Sequence, residues 1–109
     1  MTTISAVVAG PDEDGIGAAL ESVGVGVTRL EGVVSGADLD DAGIADAALY
    51  VLTDLEEATS IAVAKDRNPD VRAVVYARES LPEFAKGQTD LAVDPGLLAA
   101  DVVAEELAE

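Results

Sequence analysis

The residues able to do chemistry in this 109-residue chain are almost all carboxylates. Asp12, Glu13 and Asp14 follow one another in a glycine-bearing loop, Gly10-Pro11-Asp12-Glu13-Asp14-Gly15-Ile16-Gly17. Asp54 comes just after the apolar run Ala47–Leu52, and Asp94 stands before Pro95. Oxygen donors of this kind suit a hard cation such as Mg²⁺, Na⁺ or K⁺. A fold that gathers Asp12, Asp14, Asp54 and Asp94 at one sheet edge would give such an ion a site. The glycines suggest a second chemistry, a cradle of backbone N–H groups for phosphate at the start of a helix. A dinucleotide fingerprint runs Gly-x-Gly-x-x-Gly, whereas this loop puts Asp12 where the second glycine belongs. The Asp12 side chain blocks close backbone approach, and three successive carboxylates repel a pyrophosphate unless a cation bridges them. The same acids also read as helix caps, Asp12 or Asp14 for the first helix and Asp54 and Asp94 for later ones, each favoured by the helix dipole. Glu31 falls where a Rossmann protein holds the ribose hydroxyls. The candidate ligand-binding set is therefore Gly10, Asp12, Gly15, Gly17, Glu31, Thr53 and Asp54. Arg78 is the base expected near that rim, as counter-ion or as anion anchor.

The missing residue types exclude much. There is no cysteine and no histidine. Disulfides, thiolate metal sites, thiol nucleophiles and an imidazole base are all ruled out. No serine stands with a base, so no catalytic triad is available. An enzyme is the least expected reading, and no catalytic residue is assigned. Twenty-two acids against six bases give a net charge of −16. No basic patch exists to displace counterions from nucleic acid. The apolar opening Met1–Pro11 is too short for a membrane span and lacks the basic flank of a signal peptide, so a cytoplasmic protein is expected.

Such acidity often accompanies disorder, but here the acids are dispersed between apolar runs. Half of the residues are hydrophobic, and the mean hydropathy is +0.30. The expectation is one folded domain over residues 1–109, with a core of Ala, Val and Gly inside a carboxylate shell. Self-repulsion of that shell is screened by salt. With only Lys65 and Lys86 as lysines, the composition is that of a salt-loving, archaeal-style protein. The alternative is an acidic partner-binding protein from an ordinary cytoplasm.

The elements that must position these residues follow from periodicity. Ile4–Ala9, Ala47–Leu52 and Val71–Ala77 are continuous apolar runs, as in strands buried on both faces. Val25–Leu30 reads as an edge strand and Leu91–Val93 as a short last one. Helices are predicted over Asp12–Gly24, with Ile16, Ala19, Leu20 and Val23 inward, and over Leu55–Arg67, stopping before Asn68-Pro69. A third covers Ser80–Gly87, with Ser80 as N-cap and Glu83 closing a capping box. The last covers Pro95–Ala108, with Leu98, Val102 and Leu107 inward and Asp101, Glu105 and Glu106 outward. Ala37–Gly43 is a poor helix or a loop. Strand and helix thus alternate, which predicts an α/β three-layer Rossmann-like or flavodoxin-like domain with a five-stranded parallel sheet in the order 2-1-3-4-5. Ligands of such sheets bind beyond the carboxyl ends of the strands at the switch point, here between Gly10 and Leu52. Tyr50, Tyr76 and Phe84 are the aromatics, and the two tyrosines lie within strands as core residues.

From Asp46 onward the stretches DAALYVLTDLEEATSIAVAKDRNPDVRAVVYAR and TDLAVDPGLLAADVVAEEL resemble the nucleotide-binding domain of RCK/TrkA-type potassium-transport regulators. The most specific piece is Thr53-Asp54-x-Glu56-Glu57-Ala58, which in that family lies over the dinucleotide. The resemblance implies a TrkA-N-like regulator taking a nucleotide or a cation. This chain departs from it in the glycine loop and in lacking one β-α unit, whose removal leaves the same five-stranded order. AALYVLTDL and FAKGQTDLAVDP also resemble a response-regulator receiver, with Asp54 as phosphoacceptor. The hydroxyl and lysine positions of that family fall on Ala77 and Asp94, so this resemblance implies a pseudo-receiver that is not phosphorylated. The whole chain is similar, too, to a small family of haloarchaeal proteins of about this length, some carrying a CTP-synthetase label. Lacking GxxxxGK[ST] and any cysteine, it has no means for that reaction. A third possibility is a ligand-free interaction module, pairing with itself or another protein through Leu91–Val93 or an apolar patch on the last helix.

Overall fold

The structure, a computed structural model, describes residues 4–108; Met1–Thr3 of the apolar opening lie outside them. Strands β1 (Ser5–Ala9), β2 (Gly26–Leu30), β3 (Leu49–Leu52), β4 (Arg72–Tyr76) and β5 (Leu91–Val93) form one sheet in the order β2-β1-β3-β4-β5. Every neighbouring pair is parallel. This is the flavodoxin-like α/β arrangement that the alternation of elements predicts. The apolar runs become the central strands because parallel strands are covered on both faces.

The period of two along each strand divides the core into two layers. Val7, Ala9, Tyr50, Leu52, Ala73 and Val75 face one side. There they meet Leu39 of α2 (Gly36–Asp41), Ile61 and Ala64 of α3 (Ser60–Arg67) and Ala85 of α4 (Glu83–Lys86). Ala6, Val8, Leu49, Val51, Val74 and Tyr76 face the other. There they meet Ile16 and Leu20 of α1 (Ile16–Ser22) and Val103, Ala104 and Leu107 of α5 (Ala100–Leu107). Each tyrosine finds a polar partner, as a buried hydroxyl must. Tyr50 bonds Ser60 Oγ at 2.7 Å, and Tyr76 donates to the Leu98 carbonyl at 2.8 Å. Burial pushes the Tyr50 hydroxyl up to about 12.

Several helices are shorter than their sequence pattern, for identifiable reasons. Ser80 caps nothing. Pro82 keeps Leu81 out of the helical region, so α4 starts at Glu83 with Pro82 itself at the N-cap. The segment before α3 is a separate 3₁₀ turn, Leu55–Glu57. The last helix starts at Ala100 and not at Pro95, because Asp94 folds the chain into a turn first: its carboxylate accepts from Gly96 N, and its carbonyl accepts from Leu97 N and Leu98 N. That delay rotates the inward face. Val103, Ala104 and Leu107 are buried, whereas Leu98 and Val102 are 45% and 43% exposed. Val23 likewise lies outside the core, just past the end of α1. Conversely, α2 is better formed than its sequence suggests. Ser35 and Asp38 make a reciprocal capping box.

Strand β5 has only three residues and is held at its start by Asp90. The carboxylate accepts from Lys65 Nζ and from Ala73 N, both at 2.7 Å, while Asp90 N donates to the Ala73 carbonyl. Partial burial opposes ionisation, yet the Lys65 and Ala73 bonds hold the carboxyl below the usual aspartate range. Asp90→Ala leaves Ala73 N and Lys65 without this acceptor. Urea unfolding at fixed salt is expected to show a loss of about 1–3 kcal/mol with an unchanged m-value.

Candidate functional site

The carboxyl ends of β1 and β3 meet at a seam built on one glycine. Gly10 has φ +103°, and a Cβ there would lie 2.5 Å from Thr53 Oγ1. Only glycine admits the approach. Thr53 uses it fully: its N–H donates to the Ala9 carbonyl, and its hydroxyl lies 3.2 Å from that oxygen and 2.6 Å from the Pro11 carbonyl. Asp54 then turns its carboxylate back to accept from Glu56 N and cap the 3₁₀ turn, as a cap reading of this acid expects.

The glycine loop is likewise occupied by the chain itself. Gly10 N donates to Leu30 O, Gly15 N to Asp12 O, and Gly17 N to Asp12 Oδ2 at 3.0 Å. The N–H groups of all three glycines therefore have internal acceptors, and none is free to cradle a phosphate. The N-cap of α1 is Gly15 in the left-handed region, not Asp12 or Asp14. Asp12 caps from further back by taking the N–H of the second helical residue. Gly17 lacks a Cβ where Asp12 Oδ2 and the Arg29 guanidinium, 2.8 and 2.7 Å from that position, close over the helix start. Arg29 reaches from β2 to Glu21 at 3.0 Å and to Asp12 at 3.6 Å. The other Asp12 oxygen, Oδ1, is shut from solvent and accepts no hydrogen bond among the described residues.

Asp14 and Arg78 form a two-bond fork, both contacts at 2.9 Å, joining the loop after β1 to the end of β4. The Arg78 bond outweighs desolvation and holds the Asp14 carboxyl below the usual aspartate value, while the same contact raises Arg78. Arg78 is thus a counter-ion. Glu31 is exposed just beyond β2. Asp94 follows β5 and serves its turn.

The four-aspartate cation site is not assembled. Asp12 is tied to Gly17 and Arg29, Asp14 to Arg78, Asp54 to Glu56 and Asp94 to Gly96. Among the described residues no three acidic groups come together to hold a metal. Between the 3₁₀ turn and the loop after β4 lies an open hollow of about 330 Å³ lined by Asp54, Leu55, Glu56 and Glu79. It offers acids to any ligand and no cation. What sequence reasoning missed is Arg29: a base in an edge strand pairs across the sheet face with a loop acid, and nothing in the local pattern marks that contact.

Fold and strand order together define a flavodoxin-like α/β domain. At its carboxyl ends Ala77 directly follows β4 and Asp94 directly follows β5. By sequence the chain belongs to the family of unknown function DUF7126, whose model matches residues 6–107. No curated protein matches it. Among solved structures it is similar to an orphan response regulator of H. pylori, with 14% identity, TM-score 0.71, and coverage of 95% of this chain and 92% of that one. An atypical orphan response regulator described as using a phosphorylation-independent regulatory mechanism gives 14% identity, TM-score 0.70, and coverage of 94% and 91%. A protein named for pilus assembly from Burkholderia thailandensis gives 16% identity, TM-score 0.68, and coverage of 97% and 98%. At these identities the likeness is one of fold. What these solved structures bear out of the Rossmann-like reading is its coarser part, the flavodoxin-like α/β fold.

Gly10→Ala tests the seam. The strained φ and the clash with Thr53 are expected to cost about 1–3 kcal/mol in urea unfolding. Gly15→Ala, which meets open space, is expected to suffer only from its φ and to lose less.

Proposed function

We propose that this chain is a pseudo-receiver: a regulatory module that acts through contact with another protein, without phosphoryl transfer and without a resident nucleotide or cation. The observation that carries the reading is the chemistry at the strand ends. Asp54 has the acceptor's place after β3, but its carboxylate caps Glu56 N. Across from it, Ala77 has no hydroxyl and Asp94 brings a negative charge where a phosphoryl group needs a positive one. A nucleotide fares no better, since Asp12 and the paired glycine N–H groups fill the place of its phosphates. The TrkA-N-like reading, with a nucleotide or cation over Thr53-Asp54, is the alternative this proposal sets aside.

The test uses the protein in molar KCl. NAD, NADH, ATP, ADP, cyclic dinucleotides, Mg²⁺ and beryllofluoride are titrated against the melting midpoint, and intact mass is read after acetyl phosphate with Mg²⁺. No saturable shift and no added mass are expected. A midpoint that climbs with any nucleotide, or a phosphoryl adduct that Asp54→Asn abolishes, overturns the proposal.

The same reading places the module, as one folded unit, in a salt-rich cytoplasm. Its support is the net charge of −16 carried on a chain with a well-filled core. Mutual repulsion of these carboxylates opposes compaction, and at about 0.01 M salt it extends across some 30 Å, the scale of the whole domain. The melting midpoint is expected to rise steadily from millimolar to molar KCl. A midpoint independent of salt would remove halophily from the account.

A further inference from the structure

An apolar groove runs beside β5. Because α5 packs its buried residues Val103, Ala104 and Leu107 against α1 and the central strands, it does not roof the sheet edge. Between α5 and β5 remains a cleft of about 290 Å³ lined by Leu91, Val93, Leu98, Val102, Val103 and Leu107. Its walls are fixed. Tyr76 holds the Leu98 carbonyl from below, and Asp90 anchors β5 at the strand start. Leu97, the chain neighbour of Leu98, is 81% exposed, and β5 is the last strand of the sheet. An open apolar strand edge of this kind is one that proteins ordinarily cover or blunt.

Charge says what covers it. Glu106 lines the cleft, and Asp101 and Glu105 are exposed on the same helix. Asp94 bounds β5 at its far end. Against these acids the lining contributes one cation, Arg72. A second copy of this chain would bring another −16 and set acid against acid. A segment with apolar anchors on one side and Lys or Arg on the other satisfies both the cleft and its rim. We infer that the β5–α5 cleft is the docking site for a basic amphipathic segment of a partner protein. The inference rests on the interaction role proposed above and names the partner's chemistry.

The experiment follows amide shifts of the full ¹⁵N-labelled chain at the lowest KCl concentration at which its melting curve shows it folded, where surface charge is least screened. The probe is a synthetic helical Leu/Lys peptide with leucines at i, i+3, i+4 and i+7, compared with the same peptide carrying Glu for Lys. Saturable changes confined to Leu91–Val93 and Leu98–Leu107 are expected with the Lys peptide alone. The affinity should fall about tenfold or more in Val102→Asp and in Glu106→Lys, and hold in Asp41→Lys, on the opposite face. Melting curves show that each variant folds. Diffuse changes over the acidic surface, an equal loss in Asp41→Lys, or equal binding of the Glu peptide overturns the site. A concentration-dependent dimer in light scattering that Val102→Asp abolishes gives the cleft to a second copy and also overturns it. Failure of the pseudo-receiver reading is read elsewhere, as nucleotide-induced changes at Gly10–Gly17 and Thr53–Asp54.

Discussion

The contact of Thr53 with the backbone around Gly10 is the constraint on which the carboxyl-end rim depends. It locks the two central strands at their ends with one amide and one hydroxyl, and it is possible only because position 10 has no side chain and a left-handed φ. From that seam the loop after β1 must leave at a fixed angle. The angle brings Asp12 over the start of α1 and carries Asp14 across to Arg78. The same seam sends Asp54 into a capping turn. Gly10 and Thr53 are here used up in joining the sheet to itself.

Carboxylates dominate the surface, yet their uses are local and distinct. Asp12 and Asp54 satisfy backbone donors, Asp38 closes a capping box, Asp94 shapes a turn, Asp90 secures an edge strand, and Asp14 makes a fork with arginine. In an exposed setting such ion pairs contribute little to stability. The bonds to otherwise unpaired backbone donors matter more, because a buried N–H left without an acceptor carries a real penalty. What stabilises the fold is therefore the two-layer core, and the acids mostly fix where loops and helix ends lie.

The sheet was legible in the sequence because its signal is strong and redundant. Three apolar runs, each too short for a helix and closed by Gly10, Thr53-Asp54 or Arg78, permit little else. The helix boundaries were less legible because they depend on backbone competition a pattern does not record. Asp94 could begin a helix or a turn with the same residues, and the turn moved the inward face of α5 by enough to expose Leu98 and Val102. Pro82 overrode a capping spacing that looked sound at Ser80. At the rim, the positions of Thr53, Asp54, Asp14 and Arg78 followed from the topology, but their partners did not. The Arg29–Asp12 contact joins β2 to a loop across the top of α1, and the cleft beside β5 exists only because of how far α5 leans toward α1. Both are tertiary facts with no local trace.

The two tyrosines have a consequence of another sort. The chain has no tryptophan and two tyrosines. Tyr50 sits in the layer under α2 and α3, and Tyr76 in the layer under α1 and α5. Each hydrophobic layer thus carries one phenol of its own, on opposite sides of a single sheet. Ultraviolet emission from this molecule therefore comes from two phenols, one in each layer. Replacing either tyrosine with phenylalanine leaves a single phenol, seated in one layer of the core.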